Sequence, residues 1–427
     1  MAGKTVGQGR CYTRTRKEID LMPDQPTLDM SAHRRSIVFL NWAHALDHFV
    51  LLIYPTVVIG LEVVYRRPYA ELIALSTAAF VAFGVFSLPA GWLADRWSRR
   101  NMMAAFYLGC GVSLIGVALS PNLIVLAVAM FALGVFAAIY HPVGMPMLLA
   151  TSQAQGRTVA FNGVCGNLGA ALAAGIAAAI ASWLGWRAAF LLPAIVCIAT
   201  GIAYVMLVPD DRQHAAARKT TADVPLSQRA ALIMFGLYVV ISLSGGLTFN
   251  TISIALPKIV DERLGEDVPL LAVGSLATAV FMCGAVAQIV VGRLIEKIAP
   301  YQLFAFVVTL QFIGIVWAAN ASGMLLILAL AVTMAAIYGQ VTVGDLVIAR
   351  YTADAWRGRI YAVRYFLTFV SSGAAVSIIA FLYARGGFDL LLMATAGIAA
   401  VLLIGVFGFV ALVSGVERAR RMAQPAE

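Results

Sequence analysis

Along this chain, long apolar runs alternate with short polar breaks. Runs of eighteen or more apolar residues with few charges predict membrane-crossing helices. Twelve such runs occur, at 36–63, 69–94, 102–120, 122–149, 158–183, 187–208, 230–257, 268–295, 301–320, 322–349, 360–384 and 387–414. Several exceed the ~20 residues that cross the hydrocarbon, so tilt or extension beyond the bilayer is expected. The pattern predicts an all-α membrane protein of twelve transmembrane helices.

The longest polar interruption is PDDRQHAAARKTTADVPLSQR at 209–229, and it separates six spans from six. The expected organisation is a tail 1–35, a six-helix bundle 36–208, a linker 209–229, a second bundle 230–414 and a tail 415–427. Internal similarity supports the division. Gly91 is followed by Asp95-Arg96 after span 2, and Gly292 by Glu296-Lys297 after span 8, an offset of 201. Gly156-Arg157 after span 4 matches Gly358-Arg359 after span 10, an offset of 202. Two matches at nearly one offset predict a duplicated unit, hence two pseudo-symmetric six-helix bundles. Transporters of two such halves hold their solute at the midplane and rock to alternate access.

Composition agrees: 61% of 427 residues are hydrophobic and 12% charged, against about 25% charged in soluble domains. With both ends of the chain in the cytoplasm, inside segments carry 23 of the 30 Lys and Arg. Arg66, Arg67, Arg187, Lys258, Arg263 and Arg385 lie outside and Arg364 within a span. This bias predicts a multi-pass inner-membrane protein with cytoplasmic termini. It accounts for most of the net charge of +9 without nucleic acid. The first 35 residues are too polar and long for a signal-peptide n-region, so the first apolar run is expected to be an uncleaved signal-anchor, with the tail bearing Arg14, Arg16 and Lys17 disordered or near anionic lipid. Of five cysteines, Cys110, Cys165, Cys197 and Cys283 fall in spans, and with Cys11 they form no CxxC pair. Neither a disulfide nor a metal site is expected. No P-loop, HExxH or Gly-x-Ser-x-Gly elbow occurs, so an enzyme or ATP-driven pump is not expected and no cofactor is implied.

Ionisable groups within spans are costly and therefore point to function. His44, Asp47 and His48 of span 1 share one helical face, within about 100° of arc. An aspartate flanked by histidines can pass a proton, so these three are the candidate proton-coupling residues. In span 4, Tyr140-His141-Pro142-Val143-Gly144-Met145-Pro146 places two prolines four apart beside His141, breaking the backbone ladder. Span 5 sets Asn162 and Asn167 among Gly163, Gly166 and Gly169, a pattern for close helix contact. The second half contributes Asn250, Gln288, Gln340, Asp345 and Arg364. An arginine in a span must pair with an acid or meet an anionic ligand; Asp345 is the expected partner. The candidate solute-binding residues are Arg364, His141, Asn162, Asn167, Asn250, Gln340 and Asp345. Gly91, Asp95, Arg96, Arg100, Gly292, Glu296 and Lys297 are the candidate gating residues, as a charge cluster that latches the halves in one state.

Gly91, Asp95-Arg96 and Arg99-Arg100, with their echo at Gly292 and Glu296-Lys297 and the Gly185-Trp186-Arg187 opening of span 6, resemble the major facilitator superfamily over nearly the whole chain. His44…Asp47, Tyr54-Pro55, Tyr140-His141-Pro142 and Gly166-Asn167-Leu168-Gly169 are similar to its fosmidomycin-resistance branch. The chain departs from that branch at His48 and Val143, and at Ala173-Ala174 where an antiporter signature carries Gly-Pro. The resemblance implies the major facilitator fold and a proton-driven exporter of a small organic, anionic solute or drug. A metabolite symporter or uniporter, and a non-transporting sensor or assembly factor on the same fold, are the alternatives. Expected partners are the solute, protons and membrane lipid, with the chain a monomer.

Overall fold

A computed structural model of the chain describes residues 30–151, 155–209, 228–265, 268–352 and 354–423. Most of the expected linker and tails, Cys11, and the side chains of Arg157 and Arg359 lie outside the described residues. The helices are α1 Met30–Tyr65, α2 Tyr69–Arg96, α3 Arg99–Ala118, α4 Leu123–Ala150, α5 Gln155–Leu184 and α6 Ala188–Leu207 in the first half. The second half has α7 Gln228–Leu264, α8 Leu270–Leu294, α9 Pro300–Ala319, α10 Gly323–Tyr351, α11 354–385 and α12 388–423.

Local chemistry sets the ends. Ser98 caps α3 by accepting from Asn101 N at 3.1 Å, and Asn122 caps α4 by accepting from Val125 N at 3.0 Å. Each cap contributes about 1 kcal/mol. The break between α11 and α12 is Gly386-Gly387, where Gly387 takes φ +57, a conformation costly for any residue with a Cβ. α1 and α7 outrun their apolar stretches because extending a formed helix is cheap and because the charges on the last turns of α7 find partners. Ile124, Met206 and Ile404 are more than 70% exposed, as befits side chains that face lipid rather than water.

Within the first half α1 packs on α5, α3 on α4 and α6, and α2 on α4; in the second, α10 packs on α8 and α9, and α7 on the α11–α12 pair. The halves meet along two antiparallel seams, α2 with α11 and α5 with α8. On the first, Tyr69 meets Tyr383, Ser372 Oγ donates to Phe80 O at 3.3 Å, and Phe83 meets Phe369. On the second, Gly175 N donates to Thr278 Oγ1 at 2.9 Å, and a Cβ on Gly274 would strike Ala178 and Ala174 O. Asn167 Nδ2 donates to Gln288 Oε1 nearer the face where α1 begins. One turn further toward that face, Gly163 and Gly292 have nothing within 4 Å of an added Cβ. The halves are therefore zipped at the far face and midplane and part toward the near face.

Candidate functional site

The α1 helix carries His44, Asp47 and His48 on one stripe. The neighbouring α4 forms a single π-helical turn at Tyr140–Gly144. Pro142 has no N–H to donate and its ring crowds the preceding turn, and widening to a π turn absorbs the misfit. Glycines let α5 close on the same place. A Cβ on Gly166 would lie 2.5 Å from His44 Nε2, and one on Gly169 would collide with Ala45 O.

These three helices build a buried cluster. His44 Nδ1 lies 2.8 Å from Asn162 O. A carbonyl only accepts, so Nδ1 carries the proton and Nε2 of neutral His44 presents a lone pair. That lone pair faces His48 Nε2 at 3.2 Å. His141 closes the group from α4, its ring 5.3 Å from His44 and 5.6 Å from His48. Asp47 Oδ2 sits 3.3 Å from His141 Nε2 with its side chain fully buried. Neither Asp47 oxygen accepts a hydrogen bond among the described residues. A buried carboxylate so poorly satisfied is expensive. The His141 ring also lies 4.9 Å from that of Phe369 of α11, tilted against it, so the cluster borders the other half.

Asn162, expected among the solute-binding residues, is committed to protein contacts instead. It is fully buried, accepts from Tyr140 Oη at 3.0 Å, and donates to Asn41 Oδ1 at 3.0 Å and Leu40 O at 3.3 Å. With its amide committed, it braces α1, α4 and α5 and aims His44.

In the second half Arg364 Nη1 meets Asp345 Oδ1 at 2.9 Å and Nη2 donates to Val341 O at 3.2 Å. Asp345 is 40% exposed, toward the parted end. Asn250 Nδ2 reaches Gly246 O at 2.9 Å, Thr368 O at 3.4 Å and Ser371 Oγ at 3.3 Å, joining α7 to α11. Gln340 is buried against Gly245 of α7.

The family model of the Major Facilitator Superfamily matches residues 38–343. The chain belongs to the major facilitator superfamily. Over 241 residues it is 28% identical to a lincomycin resistance protein of Streptomyces lincolnensis. That alignment covers 55% of this chain and 44% of the relative, less than half of that protein's length. A D-xylose-proton symporter superposes with a TM-score of 0.70 at 15% identity, covering 88% of this chain and 97% of the symporter. A bacterial homologue of the human lysosomal transporter Spinster, inward-facing and occupied, gives 0.68 at 12% identity, covering 92% and 99%. At these identities the likeness is one of fold.

The superfamily signature at the end of α2 and the start of α3 makes its described contacts within its own half. Asp95 Oδ1 pairs with Arg99 Nη2 at 2.8 Å, and Arg96 lies 4.1 Å from the centre of the Trp92 ring. Arg100 donates to the Val205 and Val208 carbonyls, fastening the end of α6 to the start of α3. Gly91 packs against Pro142, 3.2 Å from where its Cβ would lie, while Glu296 and Lys297 are exposed and Gly292 is open.

A contact between the halves that sequence reasoning missed lies at the far face. Lys258 Nζ is 2.5 Å from Glu62 Oε2, 2.9 Å from Asp261 and 3.5 Å from Glu262. Tyr383 Oη donates to Glu262, and Arg263 pairs with Asp389. The available signal was the spacing of 258, 261 and 262 on a helix that runs past its apolar stretch.

Proposed function

We infer that this superfamily member is a proton-coupled exporter of a small organic solute, working by alternating access. The carrying observation is Asp47, fully buried, short of hydrogen bonds and set against His141 at the border with Phe369 of the other half. Rocking the halves changes what faces His141, and a carboxylate with so few fixed partners is poised to exchange a proton when it does. His44 and His48 extend the path. Arg364 with Asp345, and Asn167, Asn250, Gln340 and His141, supply the polar groups of the solute path across the cleft. The positive-inside bias sets the parted face toward the cytoplasm, so the conformation is inward-open. The relative's name, a resistance protein, favours efflux of a drug-like molecule, and lincosamides are the first solutes to try. The fold neighbour named a proton symporter keeps uptake as the second reading.

The test is solute-driven proton release in inverted vesicles from cells producing the full chain. Asp47→Asn is expected to abolish gradient-driven flux while leaving solute exchange at equilibrium. Proton-driven flux that survives this change overturns the coupling assignment, and flux direction relative to the gradient separates export from uptake.

A further inference from the structure

We propose that His44, His48 and His141, with Asp47, form a binding site for one divalent transition-metal ion of the Zn²⁺, Co²⁺ or Ni²⁺ class. One donor atom from each histidine lies within 4.8 Å of the others. His44 and His48 stand at i and i+4, the helical spacing by which two imidazoles grip one metal. Their Nε2 atoms are 3.2 Å apart. With metal–nitrogen bonds of about 2.0–2.1 Å and tetrahedral angles, the donor–donor edge is about 3.3–3.4 Å, so the pair needs almost no movement. His141 completes three ligands, drawn from two helices.

The surroundings suit a metal as well. The Nδ1 proton of His44 goes to Asn162 O at 2.8 Å, the backbone contact that orients a ligating imidazole and frees its other nitrogen. Asp47 beside His141 at 3.3 Å supplies either the carboxylate behind a ligand or a fourth donor. Its two oxygens, buried without hydrogen bonds, are an independent sign that a positive partner belongs here. Three neutral imidazoles leave the ion's charge to be balanced, and Asp47 balances half of it. Imidazole donors select Zn²⁺, Ni²⁺, Cu²⁺ and Co²⁺ over Mg²⁺ and Ca²⁺, which demand oxygen.

The site shares residues with the proposed proton path, so its test uses neither gradient nor solute. Full-length protein is purified without a polyhistidine tag, stripped with chelator and titrated with Co²⁺, followed by visible absorption, and with Zn²⁺, followed by calorimetry. The expected result is one ion per chain, an intense four-coordinate Co²⁺ spectrum and no response to Mg²⁺. His48→Gln and His141→Gln each weaken Zn²⁺ binding by 100-fold or more, and Asp47→Asn by about 10- to 100-fold. Unchanged thermal unfolding of the metal-free variants shows that they fold. A double variant His33→Gln/His214→Gln retains the site. Absence of saturable binding, or binding that survives the cluster variants and is lost in the His33/His214 variant, overturns the proposal.

Discussion

Lys258 of α7 reaches 2.5 Å from Glu62 of α1, tying the two halves together at the face where they are zipped. The lysine is 7% exposed and gathers Asp261 and Glu262 as well. An amine this buried is tolerated only because acids surround it. The pair joins elements that would have to separate if the far face opened in the proposed alternating-access cycle, so it would weigh directly on that equilibrium.

Lys258→Ala is therefore expected to favour the far-open state by about 1–2 kcal/mol, roughly a 5- to 30-fold shift in population. Accessibility of cysteines placed along the far ends of α1 and α7 reads the shift. Unchanged accessibility relative to the parent would mean that the pair does not hold the gate.

Three glycines separate seam from cleft. Gly274→Leu drives a side chain into Ala178 and Ala174 O, which should pry α5 from α8, lower thermal stability and raise far-face accessibility. Gly163→Ala and Gly292→Ala meet open space and should leave stability equal or higher by about 0.5–1 kcal/mol, the helix propensity gained. Equal damage from all three would argue that the near end is closed.

Arg364→Ala removes the partner 2.9 Å from Asp345. If Arg364 helps to bind an anionic solute, small organic anions stabilise the parent on heating by mass action and fail to stabilise the variant. Stabilisation by anions that persists in the variant would leave Arg364 a structural ion pair.

Asp95→Ala and Arg96→Ala test whether the protein transports at all. Both side chains contact only nearby residues of their own half among the described contacts, so folding should tolerate their loss. Flux should fall at least tenfold if the signature engages the other half when the near face closes. A sensor or assembly factor on this fold would keep its function in both variants.

The apolar periodicity was enough to locate twelve helices, although α1, α7 and α12 run up to nine residues past their apolar stretches, because in a bilayer every backbone group must be satisfied inside a helix and the apolar length is set by membrane thickness. It also put His44, Asp47 and His48 on one face, since that follows from 3.6 residues per turn. The Asp345–Arg364 pair was readable for a similar reason, as few partners exist for a charge in a span. What the sequence could not carry was contact between distant segments. His141 joins the cluster only because the π turn at Tyr140–Gly144 redirects α4 and Gly166 lets α5 press His44 toward it. Asn162 reads as a cavity residue until its bonds to Tyr140, Asn41 and Leu40 are seen. Lys258 reads as a loop cation until α7 runs on past its apolar stretch and carries it to Glu62. One-dimensional pattern determined which residues cross the membrane; helix rotation and packing, set by close contacts between separate helices, many of them distant along the chain, decided which of them meet.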